Sequence, residues 1–201
     1  MLRRLAWLVP VAALAACGGS SGIRMRTDAN GCVTVPKPTE RLDPGKTYDV
    51  TLETNEGSFT IRLDQEQSPH ATASFVYLVK LGYFDHTRFH RIVPGFVIQG
   101  GDPSGTGTCG PGYTTVDTPP AGATYTHGVV AMAKTAAQPP GTAGSQFFVV
   151  TAANAGLPPD YAIIGKVVSG IAVVDRIGKL GNPQTQQPTA RVEIERATVS
   201  G

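Results

Sequence analysis

The stretch Phe89-His90-Arg91-Ile92-Val93-Pro94-Gly95-Phe96-Val97-Ile98-Gln99-Gly100-Gly101-Asp102 decides the reading of this chain. With Arg88 just before it, the stretch contains two strand-like runs, 88–93 and 95–99, rich in β-branched and aromatic residues, and the Pro94-Gly95 step marks the break between them. Successive strand side chains point to opposite faces. Arg91, Val93, Val97 and Gln99 would therefore share a face if one strand ran through, while the Pro-Gly break resets that register. Either way, one surface combines a guanidinium, an amide and apolar side chains. Residue chemistry alone leaves this compatible with an ordinary strand pair carrying a satisfied arginine.

Working outward, residues 48–54 and 58–63 alternate apolar and polar around Asn55-Glu56-Gly57, a hairpin signal. Ser68-Pro69 offers an N-cap and a proline at the first helical position. Ala73, Val76, Tyr77, Lys80 and Leu81 then continue at helical spacing to Gly82, which predicts a helix over 69–81. Further strand-like runs lie at 129–134, 146–151, 162–167 and 191–199, and a short second helix fits 171–177. The resulting fold class is mainly β: about eight strands and two helices, for which closure into an antiparallel barrel removes exposed edges.

The 201 residues include 24 Gly and 16 Pro, are 41% hydrophobic and 16% charged, and carry 17 Lys+Arg against 15 Asp+Glu. That is a globular composition, below the low-complexity range. The excess of +2 is too small for a dedicated nucleic-acid binder, and Arg3 and Arg4 supply all of it. Those two arginines open a cationic start, an apolar run over 5–16 and small residues up to Cys17, the layout of a secretory signal. The run is too short to span a bilayer, and Pro10 interrupts it.

Leu14-Ala15-Ala16-Cys17 resembles the lipobox of bacterial lipoproteins, in which the signal is cut before the cysteine and the thiol is acylated. The expectation is a signal peptide over 1–16, lipidation at Cys17 and a chain anchored on the extracytoplasmic face of the cell membrane. Gly18-Gly19-Ser20-Ser21-Gly22, the scarcity of apolar residues and Pro36, Pro38 and Pro44 predict a flexible tether over 17–45, followed by one domain over 46–201. Cys32 and Cys109 are a candidate disulfide in an exported protein. Their sequence positions leave open whether the two Cα atoms approach within the required ~4.4–6.8 Å.

Together with Gly144-Ser145-Gln146-Phe147-Phe148, Gly128-Val129-Val130-Ala131-Met132-Ala133 and Ile164-Gly165-Lys166-Val167, the opening stretch resembles the cyclophilins, a family of peptidyl-prolyl cis-trans isomerases. The resemblance runs from Tyr48 to Val199. It implies a closed eight-stranded antiparallel barrel capped by two α-helices, in agreement with the element count. It also implies that Arg91 is the catalytic arginine, with Phe96 and Gln99 beside it, and that Val97, Ala133, Phe148, Leu157 and Tyr161 bind substrate. The chain departs from the family pattern at Gly156, where many members have tryptophan, at Tyr161, where they have histidine, and at Val97, where methionine is commoner. The segment 134–143 is longer than the usual loop.

The chemistry expected at such a site makes and breaks no covalent bond, so no nucleophile, metal or cofactor is required. The implied partners are proline-containing unfolded or flexible polypeptides, with the membrane reached through the lipid, no nucleic acid, and a monomeric state. His86 and His90 are four apart but lie in a loop-to-strand stretch without further ligands, which disfavours a metal site. The glycines of 100–107 precede no helix and predict a surface loop rather than a phosphate cradle. Gly156 and Tyr161 keep a second reading open, a proline-peptide-binding or scaffolding lipoprotein without turnover.

Overall fold

The structure, a computed structural model, describes residues 24–201. The signal segment 1–16, Cys17 and the start of the tether lie outside the described residues. In chain order the strands and helices are β1 Arg26–Thr27, β2 Val33–Thr34, β3 Asp49–Thr54, β4 Gly57–Leu63, α1 Pro69–Lys80, β5 Thr87–Arg88, β6 Arg91–Val93 and β7 Val97–Gly100. There follow β8 Thr115–Val116, β9 Val129–Met132, β10 Thr142–Ala143, β11 Phe147–Val150, β12 Ile163–Ser169, α2 Ile171–Gly178 and β13 Glu193–Ser200.

Nine strands form one sheet in the order β5-β13-β3-β4-β12-β9-β11-β7-β6, every ladder antiparallel. Its two outermost strands, β5 and β6, are separated in the chain only by Phe89 and His90. The sheet must therefore curl until its edges meet, and the chain itself crosses the seam. The run expected as one strand over 88–93 is interrupted there; counted as a single broken strand, it restores the expected eight.

Period-two patterning builds the first hairpin. Val50, Leu52, Phe59 and Ile61 are buried, and Leu52 pairs with Phe59 and Val50 with Ile61. Gly57 forms the last rung opposite Thr54, which leaves Asn55-Glu56 as a two-residue turn. Inside the barrel, Phe75 of α1 meets Phe147 of β11 edge to face at 5.4 Å between ring centroids, and Phe84 and Phe89 add rings at 5.9 and 6.0 Å from Phe147. Helix α1 packs on β13 and β8, and α2 on β4, β6 and β7.

Helix α1 begins at Pro69 as expected, but Ser68 makes no side-chain cap bond. Asp117 takes that role from a distant loop: its carboxylate accepts the His70 N–H at 3.0 Å and the Ala71 N–H at 2.6 Å. Two of the orphan donors of the helix start are satisfied this way, and the negative charge suits the positive end of the helix dipole.

The flexible-tether reading of 17–45 needs correction for its second half. Val35 is buried in the core and donates its N–H to Pro111 O at 3.0 Å, and Tyr83 Oη donates to Val33 O at 3.0 Å. β1 and β2 form a small hairpin, and Cys32 is disulfide-bonded to Cys109 with the Cα atoms 5.3 Å apart. Apolar Val33, Val35 and Leu42 are few, yet each is placed against the domain, so composition alone misjudged the segment.

Candidate active site

Adjacent residues Phe147 and Phe148 face opposite sides of β11, one into the barrel and one outward, as strand geometry requires. On the outward side Phe148 lies between Gln99 of β7 and Ala131 of β9, and Gln99 in turn lies opposite Arg91 of β6. One row across three strands therefore runs from cation to amide to aromatic ring. The Pro94-Gly95 turn preserves this: it folds β6 onto β7 so that Arg91 pairs with Gln99 and Val93 with Val97.

Around Phe148 gathers an apolar cluster separate from the barrel core. Val97, Tyr125, Val129, Ala131, Val150 and Ile163 are buried in it, while Phe96, Ala133, Leu157 and Tyr161 are half-buried at its margin. The Tyr161 ring stands edge-on to Phe148 at 5.5 Å, and its backbone is pinned to Tyr125, whose hydroxyl accepts the Tyr161 N–H at 2.9 Å and donates to its carbonyl at 2.8 Å. Lys134 Nζ sits 5.4 Å over the same ring. Gly156, next to Leu157 at the margin of the cluster, has φ +63 and open space where a Cβ would point.

Arg91 is half-buried at the rim. Its Nη1 donates to Gln99 Oε1 at 3.2 Å and its Nε to Gln186 Oε1 at 2.7 Å. Burial lowers its pKa, and nearby Tyr161 partly offsets that. An arginine so shifted still carries its charge at neutral pH. Gln99 Nε2 donates to Gln146 Oε1 at 3.0 Å, and Gln146 Nε2 donates to Gly107 O at 2.9 Å and Cys109 O at 3.0 Å. A groove of about 850 Å³ continues from Gln99 and Gln146 past Cys109 to Ala133 and Lys134.

All eight residues expected at the site are therefore neighbours: Arg91 and Gln99 are joined directly, and Phe96, Val97, Ala133, Phe148, Leu157 and Tyr161 share the apolar cluster. Three further residues were missed. Gln146 lies within the 144–148 motif but carries no chemical signal of its own there, Tyr125 sits in a segment without periodicity, and Gln186 is in a polar turn before β13. His86 is exposed and faces Glu193, whereas His90 is buried with both ring nitrogens unpartnered, so the two histidines do not converge. Among the described residues, no three His, Cys, Asp or Glu side chains form a metal-sized cluster.

The profile of the family described as "Cyclophilin type peptidyl-prolyl cis-trans isomerase/CLD" matches residues 49–199. The chain is 36% identical over 159 residues to peptidyl-prolyl cis-trans isomerase CYP18-2 of Arabidopsis thaliana, covering 77% of this chain and 95% of that one. It is 38% identical over 155 residues to peptidyl-prolyl cis-trans isomerase-like 1 of Aspergillus fumigatus, covering 75% and 94%. Among solved structures, the crystal structure of a Cryptosporidium parvum cyclophilin-type isomerase superposes with TM-score 0.71 at 30% identity, covering 78% of this chain and 99% of that one. A second structure of that protein, in the presence of the dipeptide Ala-Pro, gives TM-score 0.69 at 30% identity, covering 76% and 99%. The chain belongs to the cyclophilin-type peptidyl-prolyl cis-trans isomerases, an enzyme family with this barrel.

Proposed function

We propose that this isomerase accelerates X–Pro rotation in exported polypeptides, with Arg91 hydrogen-bonding the prolyl nitrogen of the twisted bond. Rotation about an X–Pro bond crosses a barrier of ~18–20 kcal/mol because it breaks amide resonance. In the twisted state the prolyl nitrogen becomes pyramidal and regains a lone pair. A fixed cationic donor stabilises that lone pair and does little for either planar ground state, which is the condition for raising the rate.

The observation that carries this reading is the placement of Arg91. It stands at the rim of an apolar cluster fit to bury a pyrrolidine ring, and two glutamine oxygens commit Nε and Nη1, which leaves the Nη2 edge for a substrate. No carboxylate partner neutralises it among the described residues. Phe96, Val97, Phe148 and Leu157 would hold the ring while the preceding carbonyl turns, and Gln99 would hold Arg91.

Action on exported proteins rests on the N-terminal sequence, with the signal over 1–16 and acylation of Cys17 anchoring the domain outside the cytoplasm. The Cys32–Cys109 bond suits an oxidising compartment. Turnover of an X–Pro peptide by the chain, lost in Arg91→Ala, tests the chemistry. Incorporation of a fatty-acid analogue, lost in Cys17→Ser, tests the anchor; a label that persists in that variant contradicts it.

A further inference from the structure

Gln186 is one of two non-glycine residues with positive φ, at +60, among the described residues. Left-handed backbone is disfavoured for a long side chain, and Gly or Asn is the usual occupant. Such a residue persists where its surroundings over-determine it, and these outliers concentrate at functional sites. Here the surroundings are specific. Gln186 N donates to Asn182 O at 2.8 Å and Asn182 N to Gln187 O at 2.9 Å, while Asn182 Oδ1 accepts the N–H groups of Gln184 and Thr185 at 2.9 and 3.0 Å.

This turn lies directly on the site strand. Gln186 O accepts the Ile92 N–H at 3.0 Å, and a Cβ at Gly181 would run into the Ile92 carbonyl, so only glycine permits the approach. The main chain of Gln186 thus fastens Ile92, and its side chain fastens the next residue back, accepting from Arg91 Nε at 2.7 Å. That bond is shorter than the one from Arg91 Nη1 to Gln99. A glycine or the shorter asparagine would suit the backbone but would not supply this amide oxygen at the end of a longer side chain.

We propose that Gln186 is a positioning residue for Arg91, sharing the guanidinium with Gln99 so that its plane is fixed at two nitrogens. With Gln99 alone, the guanidinium can swing about the Cδ–Nε bond and present its free edge in many directions. Catalysis by a fixed donor depends on that direction being set before the substrate twists. The proposal rests on Arg91 acting as the donor to the prolyl nitrogen.

The test is Gln186→Gly in the full chain. Glycine adopts this backbone without strain, so the melting temperature stays level or rises while the acceptor is lost. The expected result is a fall of about tenfold in kcat on an X–Pro peptide with KM within about twofold, together with faster solvent exchange of the Arg91 Nε–H in nitrogen-edited NMR spectra. Gln186→Glu keeps an acceptor and restores slow exchange of that proton. It also places a negative charge on Arg91, so its kcat stays below that of the unmodified chain. Wild-type kcat and unchanged Nε–H exchange in Gln186→Gly would overturn the proposal. Equal turnover by the unmodified chain and Arg91→Ala would instead overturn the isomerase mechanism, and the exchange of the Nε–H still decides whether Gln186 holds Arg91.

Discussion

Gln146 donates through Nε2 to the carbonyl of Cys109 at 3.0 Å, so the amide that holds Gln99 is itself held by a loop that a disulfide closes. The path from Arg91 through Gln99 and Gln146 ends at Cys109, and from there crosses to Cys32 in the N-terminal segment. A segment that composition marks as a spacer is thereby tied to the loop that supports the row of Arg91, Gln99 and Phe148.

Replacing Cys32 with Ser therefore has two expected effects. The bond spans a sequence separation of 77, and on the chain-entropy account its loss costs about 4.5 kcal/mol of stability. Turnover falls less than tenfold, because Asp102 still accepts the N–H groups of Gly107 and Cys109 at 2.7 and 3.2 Å and holds the loop in place. Urea denaturation and a peptide assay check the two effects; unchanged stability in the variant would contradict the first.

The capping of α1 by Asp117 predicts that Asp117→Ala destabilises the domain by about 1–2 kcal/mol, since two N–H groups lose their acceptor. Ser68→Ala should cost less, because Ser68 makes no cap bond. Paired urea midpoints decide it, and the reverse order would show that Ser68 is the cap in solution.

His90 and Asp102 both contribute to the response to acid. Burial lowers the pKa of His90, with Asp102 opposing and Arg88 and Arg91 reinforcing the shift. Because the folded chain resists protonating His90, stability is full above the ordinary value near 6.5, falls as pH drops below it, and levels off below the folded value. For Asp102, burial acts to raise the pKa, but hydrogen bonds from Ser104, Cys109 and Gly107 outweigh it and the net shift is downward. Its contribution is present above the ordinary carboxylate range and is lost as pH falls through the folded value. Denaturation midpoints from pH 8 to pH 5 should decline in the unmodified chain and stay flatter in His90→Phe; equal slopes would contradict the assignment to His90.

Phe148→Ala removes the ring at the centre of the outward apolar cluster and the edge contact with Tyr161 at 5.5 Å. Phe148 is only 4% exposed, so the variant should lose about 3 kcal/mol of stability and bind proline peptides more weakly. Isothermal titration separates binding from turnover. Unchanged peptide affinity would remove Phe148 from the site.

The parts legible in the sequence were those written in local patterns. Alternation at Val50, Leu52, Phe59 and Ile61 marks the first hairpin, Pro69 marks the helix start, and the resemblance places Arg91, Gln99 and Phe148 where one face of the sheet unites them. What stayed hidden depends on contacts between polar groups far apart in the chain. Asp117 meets Ala71 across 46 positions and Gln186 meets Arg91 across 95, and neither leaves a periodic trace. The break at Phe89-His90 was hidden for a related reason: only barrel closure, with Phe89 N–H turned to Val192 O at 3.0 Å, distinguishes it from a continuous strand.

Whether Arg91 lowers the barrier to X–Pro rotation is measured most directly by the cis-to-trans exchange rate of an X–Pro peptide with the unmodified chain and with Arg91→Ala. Arg91 is half-buried and unpaired with any carboxylate among the described residues, so the variant should keep its fold and its peptide affinity. Its kcat should fall by roughly 10²–10³, the loss expected for removing a preorganised donor at the transition state. A folded Arg91→Ala variant that exchanges the peptide at the rate of the unmodified chain would contradict the account.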